Sequence, residues 1–202
     1  MRKLLTGFID VLFPPSPEEK LLRDTDFRTI KILSQQKTFN KIEYLCRYSE
    51  PIIKTAIIEN KFHHNQLAAR LLGSALEKWA IKQTQPTIYI PIPLGKHRLR
   101  KRGHNQVETI LKSTNIKLQI NKDILKRVVE TAPQSHLDKN ARQQNVQNVF
   151  TIAGKISDIT PGTQIVLIDD VVTTGNTMLA ARAKLAPQLP PGVTLVCLAI
   201  AH

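Results

Sequence analysis

The chain has 202 residues, enough for one domain with a full core, and 42% of them are hydrophobic, an ordinary value for a soluble fold. Lys and Arg number 29 against 16 Asp and Glu, a net charge of +13 with a pI near 10.0, which favours polyanionic or phosphate-bearing partners. Cys46 and Cys197 are too few and too far apart for a disulfide framework or a paired-thiolate zinc site; a reducing cytoplasmic setting fits, and no stretch reaches the ~18 apolar residues of a membrane span.

In chain order, Leu4, Leu5, Phe8, Ile9, Val11 and Leu12 share one helical face and predict a short amphipathic helix ended by Pro14 and Pro15. It packs on its own domain or touches a membrane surface or partner. Gly7 and Asp10 interrupt it and no small-residue cleavage site follows, so it does not read as a signal peptide. Residues 16–50 show helical tendency without a motif. Residues 51–79 predict two helices, the first starting near Pro51, with a break around Lys61 to Asn65. His63 and His64 lie in that break, where adjacent histidines are more often solvated than anion ligands.

The texture then changes to strand candidates: TIYIPIP (87–93), DILKRVV (123–129), IVLID (165–169) and TLVCLAI (194–200). A helix follows Gly103, and another runs from about Thr177 to Ala186 and ends at Pro187. Strands alternating with helices predict an α/β fold: a parallel sheet of about four to five strands flanked by helices, with an N-terminal helical extension at 1–47 and the main domain at 48–202. Ligands of such sheets bind beyond the carboxyl ends of the strands, where IDD and PIP both terminate. The irregular stretch 131–148 is long enough for a cover over a polar ligand or a plain connector.

The stretch IVLIDDVVTTGNT (165–177) carries the most chemistry. Its four leading residues are apolar without alternation, as in a strand buried on both faces, and the chain then presents Asp169 and Asp170. Adjacent carboxylates need hydroxyl donors, a cation or water. Thr173, Thr174, Gly175, Asn176 and Thr177 form a small-residue turn into a helix, an arrangement suited to an anion. Carboxylates beside a phosphate cradle describe a ribose 5-phosphate; the Walker loop and the dinucleotide fingerprint are both absent. The simpler alternative is a tight turn in which Asp and Thr only cap the helix.

This stretch resembles the thirteen-residue signature of type I phosphoribosyltransferases, which use phosphoribosyl pyrophosphate (PRPP) with Mg²⁺. The resemblance implies that Asp169 and Asp170 are the catalytic pair holding the ribose hydroxyls and sharing Mg²⁺ with the substrate, while residues 173–177 wrap the 5′-phosphate. Purine salvage members often carry Asp where this chain has Thr173, which argues against ordinary purine salvage. YIPIPLGKHRLRKRGHNQ (89–106) falls where such enzymes place a pyrophosphate loop, with Pro93, Leu94, Lys96, Arg98 and Arg102 as candidates. Its basic cluster, which also includes Arg100 and Lys101, can instead track a nucleic-acid backbone or be a solvated turn.

The pattern P-x-P-L, then R-G-(aromatic)-N-Q, resembles the ComF family of competence-associated, phosphoribosyltransferase-like proteins: Pro91, Pro93, Leu94, Arg102, Gly103, Asn105 and Gln106 match, with His104 at the aromatic position. Gln134, Leu137, Arg142, Asn145 and Phe150 match a second family element, and Lys61-Phe62 a third. Members usually carry an N-terminal four-cysteine zinc module; here Pro17 and Lys20 stand at the first pair, so no zinc is expected. The resemblance implies a PRPP-binding protein, a pentosyltransferase of unknown acceptor, linked to DNA uptake in natural transformation. It would be cytoplasmic, with membrane association through the uptake machinery. The alternative is a non-catalytic binder of single-stranded DNA on the same fold.

Overall fold

Capping side chains and prolines set where the helices begin in the computed structural model, which describes residues 15–128 and 149–202. Ser16 accepts from the Glu19 N–H and Asp26 from the Arg28 N–H, starting α1 (Pro17–Asp24) and α2 (Phe27–Leu33). The predicted helical tendency of 16–50 ends there. Lys37–Phe39 (β1) and Ile42–Cys46 (β2) form an antiparallel hairpin, turned by Asn40 and Lys41 at φ of 47° and 63°. Two consecutive residues at positive φ are the two-residue turn that matches strand twist, and Phe39, Ile42 and Tyr44 supply the strand side chains.

Pro51 opens α3 (Pro51–Phe62), and Asn65 caps α4 (Gln66–Ala80), so the predicted pair of helices and the break between them are both present. After β3 (Thr87–Pro91) come α5 (Lys96–Arg102), α6 (Gln106–Lys112), β4 (Gln119–Ile120), β5 (Leu125–Arg127), β6 (Phe150–Ile152), β7 (Gln164–Val171), α7 (Asn176–Leu185) and β8 (Thr194–Ala201). The main sheet has the order β1-β2-β8-β7-β3-β4, parallel throughout except at β1. This is the expected α/β architecture.

Two strand assignments differ from the sequence reading. The hairpin at 37–46, assigned to a helical extension, enters the main sheet because β2 pairs with β8. The 123–129 candidate instead forms β5, which among the described residues pairs with β6 alone, in a separate antiparallel sheet. Leu125 is buried while Lys126 is exposed, so this strand covers one face and cannot replace a doubly buried one.

Alternate residues of β7 feed two cores. Val166 and Ile168 meet α1 to α4 and α6 through Leu22, Ile30, Ile53, Leu72 and Ile110. Ile165 and Leu167 meet α7 and the small sheet through Met178, Leu185, Leu125 and Phe150. With both faces filled and five strands parallel, the polar end of β7 opens only along the carboxyl edge of the sheet. Among the described residues, no helix is long and apolar enough to cross a membrane.

Candidate functional site

β7 brings both acidic side chains to that edge. Asp170 is 3% exposed; its Oδ1 accepts the Val171 N–H at 2.8 Å, and its Oδ2 lies 2.9 Å from Lys61 Nζ at the end of α3. Asp169 is half-buried and its Oδ1 accepts the Asp170 N–H at 2.8 Å. Desolvation first, and then the Asp170 charge, push the Asp169 carboxyl well above the ordinary carboxylate range, against the pull of the backbone N–H and Lys61. The two acids are therefore not equivalent: one is tied to an ammonium, the other is partly open and reluctant to ionise.

Gly175 shapes the adjoining turn. Its φ is +83°, and a Cβ there would lie 2.8 Å from Ile42 Cδ1, so glycine serves both conformation and close approach. Gly175 is also the N-cap of α7, with no side-chain cap bond, while Thr173, Thr174, Asn176 and Thr177 are all exposed. The capping alternative is thus not realised: among the described residues neither Asp nor Thr closes the α7 N-terminus, and its first N–H groups are left without an intrahelical partner. His202 fixes the base of the turn, its Nδ1 2.9 Å from the Val172 carbonyl and its ring stacked 4.0 Å from Phe39. Nothing in the sequence pattern marked that histidine.

Across the edge, Pro93 and Leu94 follow β3 half-buried, and the basic run beyond them is helical rather than an open loop. KHRLRKR contains only good or neutral helix formers, and Gly103 at φ +73° ends the helix. Lys96, Arg98, Arg100 and Lys101 are exposed along it, whereas Arg102 is half-buried beneath them. Burial pulls the Arg102 guanidinium down from its ordinary value; Asp170 opposes this, Arg98 reinforces it and Asp169 opposes it more weakly. Arg102, one of the five pyrophosphate-loop candidates, thus feels the charges of both acids.

The family-motif residues hold this wall in place. Asn105 donates to the Ile92 carbonyl at 3.0 Å and caps α6 by accepting the Val107 N–H at 3.0 Å, tying the loop after β3 to the helix. Gln106 accepts from Arg102 at 3.0 Å, and its carbonyl accepts from buried Asn60 at 3.0 Å. His104 places Nδ1 2.9 Å from the Arg102 carbonyl and Nε2 3.0 Å from the Asn60 carbonyl, and the His64 ring lies 3.9 Å from its ring, tilted by 40°. Phe62 lies 5.3 Å beneath the Arg102 guanidinium and stays 54% exposed. Lys61 and Phe62 are not among the predicted site residues and are marked only by the family-like Lys61-Phe62 pair, whereas the sequence matches His104 to the family's aromatic position and weighs His64 as an anion ligand. Gln134, Arg142 and Asn145 lie outside the described residues.

Among the described residues, no group of three or more His, Cys, Asp or Glu could hold a metal ion by itself. The acidic pair can supply part of a hard cation's oxygen shell, and Asp170 Oδ2 receives no hydrogen bond beside its ion pair with Lys61. Mg²⁺ tolerates such a partial protein shell when phosphate oxygens and water complete it, so the residues fit a cation shared with a ligand. A groove of about 660 Å³ between α4, α5 and α6 is lined by Arg70, Leu99, His104, Glu108 and Lys112 and does not include the acidic pair.

No family model matches the chain. Competence protein F of Haemophilus influenzae is 32% identical over 153 residues, covering 72% of this chain and 66% of that protein. DNA utilization protein YhgH of Salmonella typhimurium is 26% identical over 156 residues, covering 73% and 66%, and that of Escherichia coli 28% over 115 residues, covering 56% and 49%. The matched region thus spans just under two thirds of these relatives at most. Among solved structures, a hypoxanthine phosphoribosyltransferase from Staphylococcus aureus aligns with a TM-score of 0.37 at 15% identity, over 65% of this chain and 60% of that one. An orotate phosphoribosyltransferase from Mycobacterium tuberculosis aligns with 0.36 at 14%, over 90% and 82%; likenesses this slight carry no argument about the site. The identity to Competence protein F, 32% over 72% of this chain, places the chain in the ComF family, whose motif residues it carries between Pro91 and Gln106.

Proposed function

We propose that this protein binds PRPP or another 5-phosphoribosyl ligand together with Mg²⁺ and serves DNA uptake in natural transformation. The observation that carries the reading is the α7 N-terminus at Gly175, which no side chain caps among the described residues, directly beyond two adjacent carboxylates. Asp169 and Asp170 would hold the ribose hydroxyls, and the N–H groups and hydroxyls of residues 173–177 the 5′-phosphate. Pyrophosphate would lie against Pro93 and Leu94, with Lys96, Arg98 and Arg102 taking up its charge. Mg²⁺, when bound, supplies further positive charge to the departing pyrophosphate. The protein's own share of a pentosyl transfer is then positioning and electrostatic stabilisation of an oxocarbenium-like ribosyl centre. The names of the two groups of relatives, competence and DNA utilization, support the link to DNA uptake.

Zinc has no part in this reading. Pro17 and Lys20 stand where relatives carry the first cysteine pair of their zinc module. We place the protein in the cytoplasm, meeting the membrane through partners. Incubation with Mg²⁺·PRPP should raise the melting temperature of the wild type, whereas Mg²⁺ alone should not; equal curves for a folded protein would contradict the reading.

A second reading, a non-catalytic binder of single-stranded DNA, is favoured by one specific feature. Phe62, His64 and His104 sit beside basic α5, supplying stacking surfaces that the 96–102 run itself lacks apart from His97. Salt-sensitive oligonucleotide binding lost in Arg98→Ala/Arg100→Ala/Lys101→Ala, with PRPP binding intact, would favour it.

A further inference from the structure

We infer that Lys61 is the internal counter-ion of the acidic pair and makes capture of a divalent cation conditional on a phosphate-bearing ligand. The inference rests on the phosphoribosyl reading above and concerns control of that same site.

Lys61 sits on the last turn of α3, and its ammonium reaches Asp170 Oδ2 at 2.9 Å with side-chain exposures of 20% and 5%. A pair this sheltered is weakly screened by salt. The other carboxylate oxygen, Oδ1, already accepts the Val171 N–H, so Oδ2 is the atom that Asp170 has left to offer a cation. Ammonium and metal therefore compete for one oxygen. The second cation of the site, Arg102, is coupled electrostatically to Asp170 and Asp169. A divalent ion arriving alone therefore finds a lysine already on the oxygen it would take.

A phosphate-bearing ligand changes this balance. It brings negative charge between the α7 turn and the Arg102 wall and offers Lys61 another anion. The lysine side chain is a flexible four-carbon stem carrying a point charge, able to exchange one partner for another in a way a planar guanidinium fork is not. Once Lys61 turns to phosphate, Oδ2 is released to the cation. Cation and phosphate ligand then bind with mutual assistance, and by linkage each strengthens the other by the same factor.

The test uses Mn²⁺ as the probe for Mg²⁺, with free ion counted by electron paramagnetic resonance, on the wild type, Lys61→Gln and Lys61→Arg. Without a phosphate ligand, Lys61→Gln should bind Mn²⁺ at least about tenfold more tightly than the wild type, and Lys61→Arg should stay near the wild type. Saturating PRPP should raise the Mn²⁺ affinity of the wild type, beyond what PRPP holds in solution, and close the gap to Lys61→Gln. Equal Mn²⁺ affinities for wild type and Lys61→Gln, with PRPP still bound, would overturn the inference and leave the phosphoribosyl reading standing. A folded wild type that binds no PRPP would overturn both. If Lys61→Gln does not fold, the wild type and Lys61→Arg decide: a PRPP-dependent gain in Mn²⁺ affinity supports the inference, and an affinity indifferent to PRPP overturns it.

Discussion

The two walls of the site are built on different physics. On the α7 side, backbone conformation does the work: Gly175 at positive φ, an uncapped helix start and exposed threonines present neutral donors in a fixed frame. On the α3/α5 side, the frame is a set of exchangeable polar contacts: the Lys61 ion pair, and the links from Arg102 through Gln106, Asn60 and His104 to the tilted His64 ring. The first wall is suited to receive a phosphate without rearranging. The second holds charges already satisfied by one another and must give up partners to gain a ligand.

That difference is open to attack by substitution. The largest effect should come from Lys61→Ala, which strands a nearly buried carboxylate and should cost about 3 kcal/mol in urea denaturation; adding Asp170→Asn should recover more than half of it. Next comes Gly175→Ala, where the positive φ alone should cost about 1–2 kcal/mol and PRPP affinity should fall with it. The clash with Ile42 Cδ1 involves a flexible side-chain end, so adding Ile42→Val should return only a small part of that loss. Asn105→Ala removes the α6 cap and the tie to Ile92, and should cost about 1 kcal/mol of stability.

The smallest effect concerns Asp169 and depends on pH. A carboxyl held above its ordinary value favours the folded state while protonated. Its contribution is therefore complete below about pH 4 and is lost as pH rises through the raised value. Asp169→Asn cannot ionise and removes that slope, so its melting temperature should exceed that of the unliganded wild type at pH 8 and match it near pH 4.

The same contrast explains what could be read from the sequence. The α7 wall is contiguous: IVLI, two acids and a Thr/Gly turn state the doubly buried strand, the charge and the backbone requirement within thirteen residues. The opposite wall joins Lys61 to Asp170 and Phe62 to Arg102 across intervals that no periodicity spans, and only a family likeness drew the eye to Lys61-Phe62. In the fold, doubly buried β7 was plain from its unbroken apolar run. β2 was hidden by the polar residues of a short hairpin, and the 123–129 run had the composition of a core strand but the one-sided burial of β5.

Whether the acidic pair and the Gly175 turn form a phosphoribosyl site is decided by calorimetric titration of Mg²⁺·PRPP into the wild type and into Asp169→Asn/Asp170→Asn, both verified as folded. Saturable binding by the wild type, abolished by the double substitution, is expected; no binding by the folded wild type, or equal binding by both proteins, would rule the site out.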